Sequence, residues 1–180
     1  MSFQKCVSKS RKGDYVYAAI SVTANQWAFE RELHYIFKIG RASASYDRLK
    51  KLNEGWAKKD GRGPPLLRCT DWEAIDCWPT DGRISSEVTE RHLKMALLKH
   101  FNQFPWKLKC PDDLKPHGAT EVYQLAQTDF DDVLIDIIKK ANDPTGEIVM
   151  RAVAHRIRGL VEEMILPAIN KAVDSAPIAK

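Results

Sequence analysis

Nowhere in this chain of 180 residues do apolar side chains run unbroken for the roughly 18 positions a membrane-spanning helix needs. Between Met1 and Ser10 there is also no apolar core of the kind a secretory signal uses. The two absences predict an intracellular, cytoplasmic protein. Cysteine is scarce: Cys6, Cys69, Cys77 and Cys110 form neither a CxxC pair nor the close spacing of a small disulfide scaffold, so reduced, packed thiols are expected. A zinc module drawing on Cys69, Cys77, His92 and Cys110 is disfavoured for the same reason, since structural zinc sites bring at least one close ligand pair. No internal repeat or low-complexity tract is present. With 44% hydrophobic residues and only nine Gly and nine Pro, disorder and collagen-like repeats are excluded, and the length allows one domain with a helical appendage.

Positive charge is in small excess overall, at a formal +4, but it is unevenly placed. Residues 1–69 hold 14 Lys+Arg against 6 Asp+Glu, whereas residues 70–180 hold 14 against 18. The basic part is clustered, at Lys9/Arg11/Lys12, Lys38/Arg41, Arg48/Lys50/Lys51 and Lys58/Lys59/Arg62, with aromatic Tyr46 and Trp56 among the clusters. Such a face suits a polyanion, and equally a solvated surface.

Local patterning predicts a mixed α and β chain. Residues 15–22 are β-branched and aromatic after a Gly13-Asp14 turn signal, and 34–39 form a second such run ending at Gly40, which together predict an antiparallel hairpin with a long, irregular connection through Trp27 and Phe29. Small and hydroxyl residues at 42–45 then precede a helix with Tyr46, Leu49 and Leu52 on one face, stopped by Asn53 and Gly55. Residues 56–65, rich in Lys, Gly and Pro, read as a loop. A third strand is expected within 66–78, and a helix over 86–102 with Glu87 and Glu90 in its first turns. A short strand at 121–125, a helix opened by Thr128 or Asp129, and a last helix over 147–173 containing Pro167 complete the chain.

Several residues could meet in a phosphodiester-cleaving site. A lone carboxylate such as Glu90 can anchor Mg²⁺, which keeps several waters; an arginine such as Arg48 can hold phosphate through paired hydrogen bonds; a tyrosine can activate water if its pKa is lowered. Each also has a plain reading: Arg48 as a solvated helix residue, Tyr15 and Tyr17 as strand packing, Glu90 as a carboxylate favoured by the helix dipole.

In order and spacing these parts resemble the GIY-YIG endonuclease superfamily. Tyr15-Val16-Tyr17 stands at its first motif; Phe37-Lys38-Ile39-Gly40-Arg41 looks like the second motif of a phage and bacterial branch that reads Lys-Ile-Gly; Tyr46 to Asn53, with Arg48, is similar to the arginine helix. Glu90, within Glu87 to Leu93, resembles the family's metal-binding glutamate, and Gly118 to Tyr123 a Glu-aromatic strand that closes the domain. The resemblance covers about residues 14–126. It implies an α+β nuclease domain with a small central three-stranded antiparallel sheet flanked by helices, preceded by a basic segment over 1–13 and followed by a helical extension over 127–180.

The resemblance further implies a metal-dependent endonuclease that cuts DNA, duplex rather than single-stranded, with one Mg²⁺ or Mn²⁺. Glu90 would bind the metal, Arg48 would hold the scissile phosphate, Arg41 would add a second positive group, and Tyr17 would act as general base, its phenolate favoured by the metal and by Arg41, Lys38 or Arg48. Lys50, Lys51, Lys58, Lys59 and Arg62, with Lys38 and Arg41, would line the nucleic acid. The chain departs from the pattern in three places. Tyr15 replaces the first motif's glycine, so Tyr15 or Tyr17 or both can face the site. Lys38 replaces the second motif's tyrosine, which leaves open a catalytically inactive member that binds nucleic acid or protein. The family's late asparagine has no clear match, with Asn102 and Glu121 both available. His92, about 200° round the helix from Glu90, reads as a packing or surface residue. The helical extension, acidic at Asp129, Asp131, Asp132 and Asp136, is expected to pack on the domain or to form a homodimer.

Overall fold

A computed structural model describes residues 15–30, 35–42, 45–55, 57–58, 61–62, 69–79, 86–100, 122–125, 132–141 and 147–174. It is an α+β structure in which five helices surround a four-stranded antiparallel sheet among these residues. Strands β1 (Tyr15–Ile20), β2 (Ile36–Ala42), β5 (Glu73–Pro79) and β6 (Val122–Gln124) lie in the order β5-β1-β2-β6. Two short strands, β3 (Ala57–Lys58) and β4 (Gly61–Arg62), form a separate ribbon inside the segment expected to be loop.

All six residues of β1 are buried because it is a central strand with a covered face on each side. Strand alternation sends Val16, Ala18 and Ile20 into one core, and Tyr17 and Ala19 into the other. The register with β2, Tyr17 opposite Gly40 and Ala19 opposite Lys38, puts Ile36, Lys38, Gly40 and Ala42 on the Tyr17 face, and Phe37, Ile39 and Arg41 on the Val16 face. Tyr123 of β6 continues the second set, its ring 5.9 Å from that of Phe37. The sheet thus has one strand more than the resemblance implies. The apolar pair Val122 and Tyr123 matches the two faces of β2, and this lets β6 close the edge beside Ile36, Phe37 and Lys38.

The irregular connection expected between the first two strands is instead helix α1 (Val22–Phe29). Ser21 caps it: its backbone is extended, and its Oγ accepts the Ala24 N–H at 2.9 Å. Buried Ala24 and Ala28 let the helix lie close to the sheet, and buried Asn25 ties it down by accepting the Ile36 N–H at 2.8 Å and donating to the Ile36 carbonyl at 3.0 Å. Helix α2 (Ser45–Glu54) covers the same face through Leu49 and Leu52, and Gly55, at φ 81, ends it in a left-handed conformation that suits glycine.

The opposite face carries α3 (Ser86–His100), α4 (Asp132–Lys140) and α5 (Glu147–Asp174). Leu93 of α3, Leu134 of α4 and Val153, Ile157, Leu160, Val161 and Ile165 of α5 join Val16, Ala18, Phe37 and Ile39 in one core. The C-terminal helices therefore pack against the sheet rather than standing off it. Pro167 sits inside α5 on an exposed position. Among the described residues, no helix is long and apolar enough to cross a membrane.

Candidate functional site

The residues singled out above fall into two groups, separated by the parity of β2. On the α1/α2 face stand Tyr15, Tyr17 and Lys38, with α2, which carries Arg48, packed over the same face. Tyr17 and Lys38 are each only 1% exposed, and Tyr15 is 7% exposed. The two tyrosines share one face, as residues two apart on a strand must. The ring of Tyr17 lies directly on Gly40: a Cβ placed there would come within 2.6 Å of both Cζ and Oη of Tyr17. The first and second motif segments are thus adjacent strands joined at this pair, and the glycine is there because a tyrosine crosses it.

On the α3 face, Arg41 reaches two carboxylates. Its Nε stands 3.2 Å from Glu90 Oε2, and its Nη1 3.4 Å from Glu87 Oε2. Glu90 is buried, at 7% exposure, while Arg41 and Glu87 are exposed. The end of β2 is thereby pinned to the start of α3, and Gly40-Arg41 is the point where the two groups adjoin: Gly40 carries the tyrosine on one side of the strand, Arg41 the carboxylates on the other. Glu87 had no part in the site read from sequence. Its signal was present in the Glu87/Glu90 spacing of three, which sets two carboxylates on one side of a helix start. Arg91 also approaches Glu87, at 3.9 Å.

Arg48 is half-buried, and its Nε is out of solvent contact. Lys50 and Lys51 are exposed on α2, Lys50 4.0 Å from Glu54. Lys58 and Arg62 stand on the β3-β4 ribbon; Lys59, Asn102, Glu121 and Cys110 lie outside the described residues. His92 is partly buried on α3.

The other cysteines and polar groups belong to the scaffold. Cys69 is a buried thiol outside any disulfide, and burial, more than the nearby Asp71 charge, pushes it up to about 11 against its hydrogen bond with Ser21. A thiol so placed is inert at neutral pH. Asp71 holds the start of α1 by accepting from Ser21 Oγ at 2.5 Å and from the Thr23 N–H at 2.9 Å.

A divalent cation, which the resemblance implies, suits the carboxylate of Glu90: it is a hard oxygen donor, and Mg²⁺ asks for as little as one carboxylate beside waters and substrate phosphate. Among the described residues no group of three or more His, Cys, Asp or Glu side chains gathers around one point. Comparison with models of protein families, with curated proteins and with solved structures gave no match for this chain.

Proposed function

We propose that the protein is a metal-dependent endonuclease of the GIY-YIG type that hydrolyses DNA phosphodiesters. The observation that carries this reading is the joint at Gly40-Arg41: the β1 tyrosine lies on the glycine of the Lys-Ile-Gly segment, and the next residue binds the glutamate that the same pattern assigns to metal. Nothing in a fold's general packing requires a tyrosine, a side-chain-free position and an arginine paired with a buried glutamate to adjoin at one strand end.

In this reading Glu90 would hold the cation. When bound, the cation supplies positive charge against the negative charge that builds on the phosphate. Arg48 and Arg41 grip the phosphodiester oxygens by charge-assisted hydrogen bonds and offset the same charge from the protein side. Tyr17, as its phenolate, would take the proton of the attacking water at Oη. Lys38, at the position of the family's second tyrosine, sits on the Tyr17 face. Lys50 and Lys51 offer exposed charge to the flanking backbone of the nucleic acid.

A second reading, that of a nucleic-acid or protein-binding domain without chemistry, is favoured by one observation: Tyr17 and Lys38 are almost fully enclosed, at 1% exposure each. Incubation of supercoiled plasmid with the full chain and Mg²⁺ or Mn²⁺ separates the two. The nuclease reading expects nicked or linear product that disappears with EDTA, and at least about a hundredfold slower cleavage by Glu90→Gln and Arg48→Ala. Plasmid that is bound but left intact under both metals would support the second reading instead.

A further inference from the structure

Arg41 spends both edges of its guanidinium on acids in the free protein, Nε on Glu90 and Nη1 on Glu87. The two ends of the main pair differ in freedom. Glu90 is fixed, its side chain 9% exposed, while the Arg41 side chain is 46% exposed and that of Glu87 57%. Any movement that opens this pair is therefore made by the arginine. Two kinds of ligand compete for it. A divalent cation arriving at Glu90 meets the same Oε2 that Arg41 occupies. A phosphodiester arriving at the end of β2 meets a guanidinium whose planar fork matches phosphate oxygens as well as it matches carboxylate.

We infer that Arg41 is an exchange residue that couples metal and nucleic acid: it covers Glu90 until a backbone phosphate draws it away, and the carboxylate so released takes the cation. The inference rests on the nuclease reading given above. It makes the two ligands mutually strengthening, because each relieves the contact that opposes the other, and the coupling is the same whichever binds first. Arg41 also keeps the buried Glu90 charge paired in the absence of metal, which a site loaded only in the presence of substrate requires. Glu87 gives the departing arginine a second, solvent-facing anchor.

The test is Mn²⁺ binding to the full chain without nucleic acid, followed by the electron paramagnetic resonance signal of free Mn²⁺, in wild type, Arg41→Gln, Arg41→Lys, Arg91→Gln and Glu90→Gln, each checked for an unaltered thermal melt. The expected result is that Arg41→Gln binds Mn²⁺ at least about fivefold more tightly than wild type, with Arg41→Lys between them. Arg91→Gln removes one positive charge near Glu87 without touching Glu90, and should stay within about twofold of wild type. In parallel, Ca²⁺ should tighten the wild-type protein on a labelled duplex at constant ionic strength and have no such effect on Arg41→Gln. Equal Mn²⁺ affinity in wild type and Arg41→Gln, with Glu90→Gln weaker than both, would overturn the exchange and leave Glu90 as the metal residue. Equal gains in Arg41→Gln and Arg91→Gln would overturn it too, reducing the effect to general charge. Mn²⁺ binding that ignores Glu90→Gln would remove the metal reading itself, and the exchange with it.

Discussion

Gly40 shows how one missing side chain can join two segments. A methyl group there would stand 2.6 Å from the Tyr17 ring, closer than real Cβ contacts allow, and the neighbour is a buried aromatic that has little room to retreat. Gly40→Ala is expected to cost about 1–3 kcal/mol, as overpacked core positions do, and to cost less on a Tyr17→Ala background; urea denaturation of the four proteins measures both. Equal costs on the two backgrounds would mean the strand tolerates the methyl by another route. Cys69 makes a second prediction at this scale. Its thiol is raised from an ordinary 9.0 to about 11, chiefly by burial, so the folded state holds a proton that the unfolded state gives up first. This contribution to stability is intact below about pH 9 and is lost as pH rises towards 11. Accordingly Cys77, which is partly exposed, should be alkylated at pH 8 well before Cys69, as peptide mapping by mass spectrometry will show.

Two helices are fastened to the sheet by the same device. The Asn25 side chain bonds both the N–H and the carbonyl of Ile36, and the Asn53 side chain bonds both the N–H and the carbonyl of Trp72, at 2.9 and 3.0 Å. In each case an amide side chain imitates a neighbouring strand where the ladder stops. Asn25→Ala leaves two buried backbone groups without that partner and is expected to lower stability by roughly 2–4 kcal/mol, at about 1–3 kcal/mol for each group, read from a thermal or urea melt. A change below about 0.5 kcal/mol would mean that water replaces the amide. The same residues show what a sequence can and cannot disclose about elements. The strands at 15–20 and 36–42 and the helices at 86–100 and 147–174 announce themselves through apolar period, because packing selects for it. Helix α1 does not: its sequence, Val-Thr-Ala-Asn-Gln-Trp-Ala-Phe, has almost no amphipathic contrast, and it is held by Ser21, Asp71 and Asn25, three polar contacts made across 3 to 50 residues of chain. In the site, Tyr17, Gly40, Arg41 and Glu90 could be picked out by motif order. That Arg41 points away from Tyr17 and pairs with Glu90 follows from strand parity and register, which no local pattern records.

At the scale of the whole molecule, one core joins the sheet to the C-terminal helices. Val153, Ile157, Val161 and Ile165, all fully buried, lie against Val16, Ala18, Phe37 and Ile39, and Arg158 adds a 2.8 Å contact from α5 to Asp76 on β5. Ile157→Ala should therefore destabilise the entire protein by about 2–5 kcal/mol in a single transition, and a chain ending at residue 126 should lose its cooperative melt. A truncated chain that melts as sharply as the whole would show instead that the sheet holds without α5. The same arrangement leaves the α2 side of the sheet, with Tyr17, Lys38 and Arg48, and the Gly40-Arg41 strand end as the places where nucleic acid and chemistry would meet under the proposed function. Tyr17→Phe probes the catalytic part of this proposal, because the substitution removes one oxygen while the ring still covers Gly40. With Mg²⁺ and plasmid DNA, wild type should cleave, and Tyr17→Phe, equally stable and equally able to bind DNA, should cleave at least about a hundredfold more slowly. Cleavage by Tyr17→Phe at the wild-type rate would remove Tyr17 as the base, and a wild-type protein that binds plasmid and never cuts it would overturn the nuclease proposal.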